Sequence, residues 1–174
     1  SRTSEEFRLD VFNQGDYVKA MQQENWAEVV TKILYPSDNT SAGKELRLIQ
    51  EYFLVSCSLH DLIRRYAKSH RGWHPFADKN AIQLNDTHPA LAVAELMRIF
   101  LDEMNLAWET AWDLTTRSLA YTNHTILPEA LEKWPVPLLE RVLPRHLQII
   151  YEINLRFLQS VSARFPDDGE RRRA

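Results

Sequence analysis

The chain has 174 residues, 44% of them apolar and 26% charged, which is the balance of an ordinary globular domain and excludes disordered, collagenous and disulfide-scaffold classes. Six lysines and fifteen arginines against 24 acidic residues leave a net charge of −3, so neither a nucleic acid nor an anionic membrane is an expected partner. A lone cysteine, Cys57, rules out an internal disulfide and a multi-cysteine zinc cage.

From the N-terminus, an apolar stripe at helical spacing runs over residues 16–34. It gives way to Tyr35-Pro-Ser-Asp-Asn-Thr-Ser-Ala-Gly43, a dense turn former that reads as a surface connection or as a gate over a site. A long helix is expected over 44–69, where Leu48, Tyr52, Val55, Leu59, Ile63 and Tyr66 recur every three or four residues. Cys57 sits within that run and reads as inert, with no basic neighbour in sequence to lower its pKa. The connection over 68–79 has no assigned role. A short strand is expected over 80–85, a helix over 89–104 with Asp86 to His88 as its cap and Pro89 in its first turn, and another helix over 108–118. Trp108 and Trp112, four apart on that last stripe, read as core. A second strand follows over 119–123, and Leu147, Ile150, Ile153, Phe157 and Val161 mark a final helix. Residues 166–174, with Arg171 to Arg173 beside Asp167, Asp168 and Glu170, read as a solvated tail.

The class is therefore helix-rich α/β. A strand–helix–helix–strand crossover normally returns parallel, which places Asn85-Asp-Thr-His88 and Thr122-Asn-His-Thr125 at one carboxyl edge, where open α/β sheets bind ligands. Parallel strands are normally buried on both faces, so most of the sheet is expected to lie outside this chain. Asp86, His88 and His124 could there serve acid–base work, hydrogen bonding to a polyhydroxyl ligand, or a metal centre. Helix capping is the plainer reading for Asp86 and a structural role for each histidine, and no further ligand stands at a recognisable metal spacing. The glycines at 15, 43, 72 and 169 are isolated, so no phosphate-cradling turn can be written. No apolar run reaches the roughly 18 residues of a membrane span and the start has no signal-peptide core, so a cytoplasmic protein is expected; lacking an initiating Met, it reads as a piece of something longer.

A series of segments carries a family resemblance. Leu34-Tyr-Pro-Ser-Asp-Asn39, Gly43-Lys-Glu-Leu-Arg-Leu48, Gln50-Glu-Tyr-Phe53, Ala81-Ile-Gln-Leu-Asn-Asp-Thr-His-Pro-Ala90, Ala120-Tyr-Thr-Asn-His-Thr125, Leu127-Pro-Glu-Ala-Leu-Glu-Lys-Trp-Pro135 and Leu143-Pro-Arg-His-Leu-Gln-Ile-Ile-Tyr-Glu-Ile-Asn154 closely resemble the α-glucan phosphorylases, the glycogen, starch and maltodextrin phosphorylase family. The match runs in uninterrupted order from about residue 7 to 165.

The resemblance implies an interior segment of the family's N-terminal catalytic domain, a single partial domain over 1–174 of Rossmann-like, glycosyltransferase-B type. It implies a parent that transfers a terminal glucosyl unit of glycogen or maltodextrin to phosphate, giving glucose 1-phosphate. It further implies that His124 contacts the glucosyl unit in transfer, with its backbone carbonyl near the developing cation. Asp38 and Asn39 match a mobile gate loop, and Asp86 and His88 match the polar group that orients the histidine. Pyridoxal phosphate is the family cofactor, and its lysine has no counterpart here. The remainder of the phosphorylase chain is an implied partner, as is a second subunit meeting the helix around 16–30. Where animal enzymes carry aromatic residues in the gate, this chain has Thr40-Ser-Ala42. A noncatalytic glucan- or partner-binding module that keeps the phosphorylase wall is the alternative, and both readings expect the segment alone to be inactive.

Overall fold

A computed structural model describes residues 28–128, 131–166 and 169. The chain forms two compact units, residues 1–50 and 51–174. The part of the first expected helix before residue 28, with Trp26 and the proposed subunit contact, lies outside the described residues, as does the tail from 167 onward apart from Gly169.

In the first unit residues 28–32 are helical, 33–35 bend, and α1 then begins at Ser41 and continues to Ser69, 29 residues in all. It starts one turn earlier than the apolar stripe suggests because Thr40 caps it. The Thr40 hydroxyl accepts the Gly43 amide at 3.1 Å, satisfying one of the donors a helix start leaves open, and the Thr40 carbonyl accepts the Lys44 amide at 2.9 Å as the first intrahelical bond.

In the second unit α1 contributes Val55, Leu59, Ile63 and Tyr66 to a buried core. Cys57 is exposed, contrary to the expectation that it shares the stripe. It stands two residues from both Val55 and Leu59, about 200° around the helix from either. The connection after α1 is a core plug: Gly72 turns the chain with φ 83°, and Trp73 and Phe76, the latter opening the short α2 (Phe76–Lys79), pack with Tyr66 and Phe100 at ring separations of 5.1 to 5.9 Å.

Strand β1 (Ile82–Asn85) leads through a turn to α3 (Ala92–Arg98), which widens into a π-helical segment (Ile99–Glu103). The helix expected from Pro89 thus starts later. Leu91 is its N-cap, without a side-chain hydrogen bond, and residues 87–93 are joined instead by short i→i+3 backbone bonds. The π segment brings residues five apart together, and Arg98 and Glu103 use that spacing for a 2.7 Å ion pair. Next come α4 (Trp108–Ser118), β2 (Leu119–Thr122), α5 (Val136–Val142) and α6 (Pro144–Arg164). The periodicity missed α5, and α6 starts three residues earlier than expected, where Pro144 occupies a first-turn position that needs no amide. Trp108 and Trp112 are half-buried against the core rather than within it, and with Phe157 and Arg156 they line an open groove of about 570 Å³. The two strands pair parallel, in register from Ile82 with Leu119 to Asn85 with Thr122, as the crossover requires.

Candidate functional site

The carboxyl edge of the parallel pair is closed by Asp86. Its φ is 65°, a left-handed conformation that few residues other than glycine adopt but that aspartate tolerates. That sharp turn lets its amide continue the ladder to the Thr122 carbonyl at 2.8 Å. Its carboxylate then accepts the main-chain amide of His124 at 2.9 Å. Asp86 therefore joins the two strand ends rather than capping α3, a correction to the capping expectation that follows from the late start of the helix. Downstream of His124, the Asn123 side chain accepts the Thr125 amide at 3.2 Å and the Thr125 hydroxyl accepts the Leu127 amide at 3.2 Å, so the segment after β2 is shaped by local side-chain bonds.

His124 is exposed and His88, two residues beyond Asp86, is half-buried. A recess of about 260 Å³ lined in part by Thr87, Leu91, Trp134 and Leu139 lies against the same turn. The arrangement presents one imidazole to solvent on a main chain that a carboxylate holds in place. Such a group can hydrogen-bond a hydroxyl-rich ligand or move a proton. Among the described residues no three His, Cys, Asp or Glu side chains are grouped to hold a metal ion, and no helix is long and apolar enough to cross a membrane.

Asp38 and Asn39 belong to the other unit and are both exposed, in the turn between residues 28–32 and α1. The structure thus brings Asp86, His88 and His124 to one edge and places Asp38 and Asn39 together on a separate turn.

Sequence reasoning missed a buried ionic node among α1, α3 and α6. Glu95, on α3, is fully buried, and its carboxylate accepts hydrogen bonds from His146 Nε2 at 2.6 Å, from Arg98 at 2.7 and 3.0 Å, and from Ser56 at 2.7 Å. Burial alone would raise its pKa, but the bonds from His146, Arg98 and Ser56 outweigh that and bring it from the usual 4.5 down to about 2. The available signal was a single acid inside Ala90-Leu-Ala-Val-Ala-Glu-Leu-Met97, apolar on every side. A second pair, Arg145 with Asp102 at 2.7 and 2.8 Å, ties α6 to the π segment.

Comparison with known proteins gives the relationship. The family model described as carbohydrate phosphorylase matches residues 1–174. The chain is 52% identical to glycogen phosphorylase 2 of Dictyostelium discoideum across its whole length, covering 18% of that protein. It is 55% identical to the muscle form of glycogen phosphorylase of Homo sapiens, with 99% of this chain and 22% of that protein aligned. Against the glycogen phosphorylase of Chlamydia trachomatis the identity is 52%, over 97% of this chain and 21% of the relative. The chain spans about a fifth of the length of these relatives, and by a match along all of its own residues it belongs to the carbohydrate phosphorylase family.

Proposed function

We propose that this chain is the sugar-side wall and gate of an α-1,4-glucan phosphorylase, an enzyme that transfers a terminal glucosyl unit to phosphate and yields glucose 1-phosphate. The observation that carries the reading is the Asp86–His124 bond at the carboxyl edge of a parallel pair. The Asp86 carboxylate holds the peptide before His124, and the Asn123 side chain, accepting the Thr125 amide, holds the one after it, so the main chain that carries the ring and the carbonyl is restrained on both sides. In glucosyl transfer positive charge develops at the anomeric carbon. A carbonyl dipole held close to that carbon, and an imidazole on the sugar's hydroxyls, stabilise the charge without reorganising at the moment of reaction. His88, half-buried two residues beyond Asp86, is assigned to the same polar support. Asp38 and Asn39 act from the gate, reaching the sugar's hydroxyls and excluding water when the turn closes.

The rest of the enzyme supplies what this chain does not carry. In the parent, pyridoxal phosphate contributes acid–base chemistry through its phosphate. Among the described residues none fits a site for it: Lys32, Lys68, Lys79 and Lys133 are exposed and Lys44 lies half-buried in the first turn of α1, whereas a Schiff-base lysine needs desolvation or a cationic neighbour to become nucleophilic. The cofactor is therefore held by the remainder of the longer chain. The same remainder completes a Rossmann-like, glycosyltransferase-B type sheet on the open edges of β1 and β2, in keeping with the burial that parallel strands require. A dimer through residues 16–30 and a cytoplasmic location complete the reading.

The test is phosphorolysis by the full-length protein carrying this chain with His124→Ala. A loss of about 2–4 kcal/mol in transition-state stabilisation is expected, mainly in kcat. Unchanged kcat/KM would overturn the assignment and favour a noncatalytic module.

A further inference from the structure

The turn that carries Asp38 and Asn39 is tied at both ends by residues that the reading above does not use. At its start Tyr35 has φ 55°, a conformation that a bulky aromatic residue holds only where its surroundings impose it. Two side chains of α1 supply that constraint. Gln50, 3% exposed, donates from Nε2 to the Ile33 carbonyl at 2.7 Å, and the Arg47 guanidinium lies 5.5 Å from the centre of the Tyr35 ring. A buried amide side chain on a helix is costly unless paired, and this one spends a donor on a loop carbonyl seventeen residues back. At the far end Thr40 caps α1, and Gly43 packs so closely that a Cβ there would sit 1.9 Å from the Ser37 carbonyl oxygen. Only glycine admits that approach. Between the two ties, residues 37–39 are exposed.

We propose that Gln50 and Gly43 are positioning residues for the gate: Gln50 fixes the entry to the turn, Gly43 seats Ser37 on the first turn of α1, and the freedom left to the turn falls on Asp38 and Asn39. The proposal rests on the gate reading of Asp38 and Asn39 and adds what sets their position. Gln50 and Gly43 act through the turn, by geometry alone.

The experiment uses the full-length protein. Gln50→Met keeps the side-chain length and most of the helix propensity while removing the donor; Gly43→Ala adds one methyl group and forces Ser37 aside. Thermal unfolding establishes that each variant folds. Hydrogen exchange over 33–40, normalised to intrinsic rates, should accelerate about tenfold in Gln50→Met, the scale of losing one buried hydrogen bond. In both variants the KM for a maltodextrin such as maltoheptaose should rise about tenfold while kcat changes much less, because a displaced gate weakens sugar binding and leaves His124 in place. Unchanged exchange overturns the clamp. Faster exchange with unchanged KM overturns the gate reading, and the positioning role falls with it. A lower kcat at constant KM, the signature of less folded enzyme, overturns the proposal as well.

Discussion

Asp86 does two things that different substitutions separate. Its left-handed backbone places the turn, and its carboxylate holds the His124 amide. Asn keeps both the tolerance for positive φ and an acceptor oxygen, so Asp86→Asn in the full-length enzyme should lower kcat only a few-fold, the difference between a charged and a neutral acceptor. Ala loses the acceptor and carries a Cβ penalty at φ 65°, each costing about 1 kcal/mol, and kcat should fall by a factor of ten to a hundred. Steady-state phosphorolysis compares the two, and equal losses would mean that the carboxylate's bond to His124 is irrelevant. The meeting of Asp86 with His124 was legible from topology, since a parallel crossover must bring both strand ends to one edge. The bond itself was not: an Asp before a proline-led helix reads as a cap until the helix is seen to begin at Ala92.

The long elements showed in the sequence for a simple reason. Helices such as α1 and α4 bury one face and so repeat their apolar residues at a fixed period. The short α2 and α5 were not legible because four and seven residues carry too few turns to display one. The π segment sits in a tertiary setting, with Asp102 held by Arg145 of α6 and Glu103 by His60 of α1, which no local pattern encodes. The Glu95 node makes this element-scale structure testable. Its folded pKa of about 2 lies below the unfolded 4.5, so its contribution is fully present above about pH 4.5 and is lost as pH falls toward 2. That shift corresponds to about 3 kcal/mol at neutral pH. Denaturant titrations should therefore show stability dropping between about pH 5 and 2 in the native protein. Glu95→Gln should cost about 3–5 kcal/mol at pH 7, by removing the buried anion that Arg98, His146 and Ser56 converge on and leaving Arg98 only Glu103, and should flatten the acid limb. An unaltered acid limb would show that the node does not govern it.

For the whole chain, the apolar surface it exposes matters most. Ile126 is 98% exposed, Leu127 54% and Tyr121 51%, all close in sequence to His124, and the described sheet consists of two parallel strands with open edges. Such edges and patches are normally covered. In the proposed enzyme the other four fifths of the chain cover them and bring phosphate and cofactor to the sugar. The isolated 174-residue chain should accordingly self-associate, with a sedimentation coefficient that rises with concentration, and should show no phosphorolysis of maltoheptaose. A monomer at all concentrations, or turnover by the mass-verified isolated chain, would contradict this. The most direct measurement is a double-mutant cycle in the full-length enzyme, with kcat determined for Asp86→Ala, His124→Ala and the pair. If Asp86 works by holding His124, its removal should cost less once the imidazole is gone, leaving only the main-chain share of its effect, and the cycle should show coupling of 1 kcal/mol or more, the range found for residues in one network. Additive losses, with Asp86→Ala as costly in the His124→Ala background as alone, would show that the two side chains act independently and that the edge built around their bond is not the catalytic one.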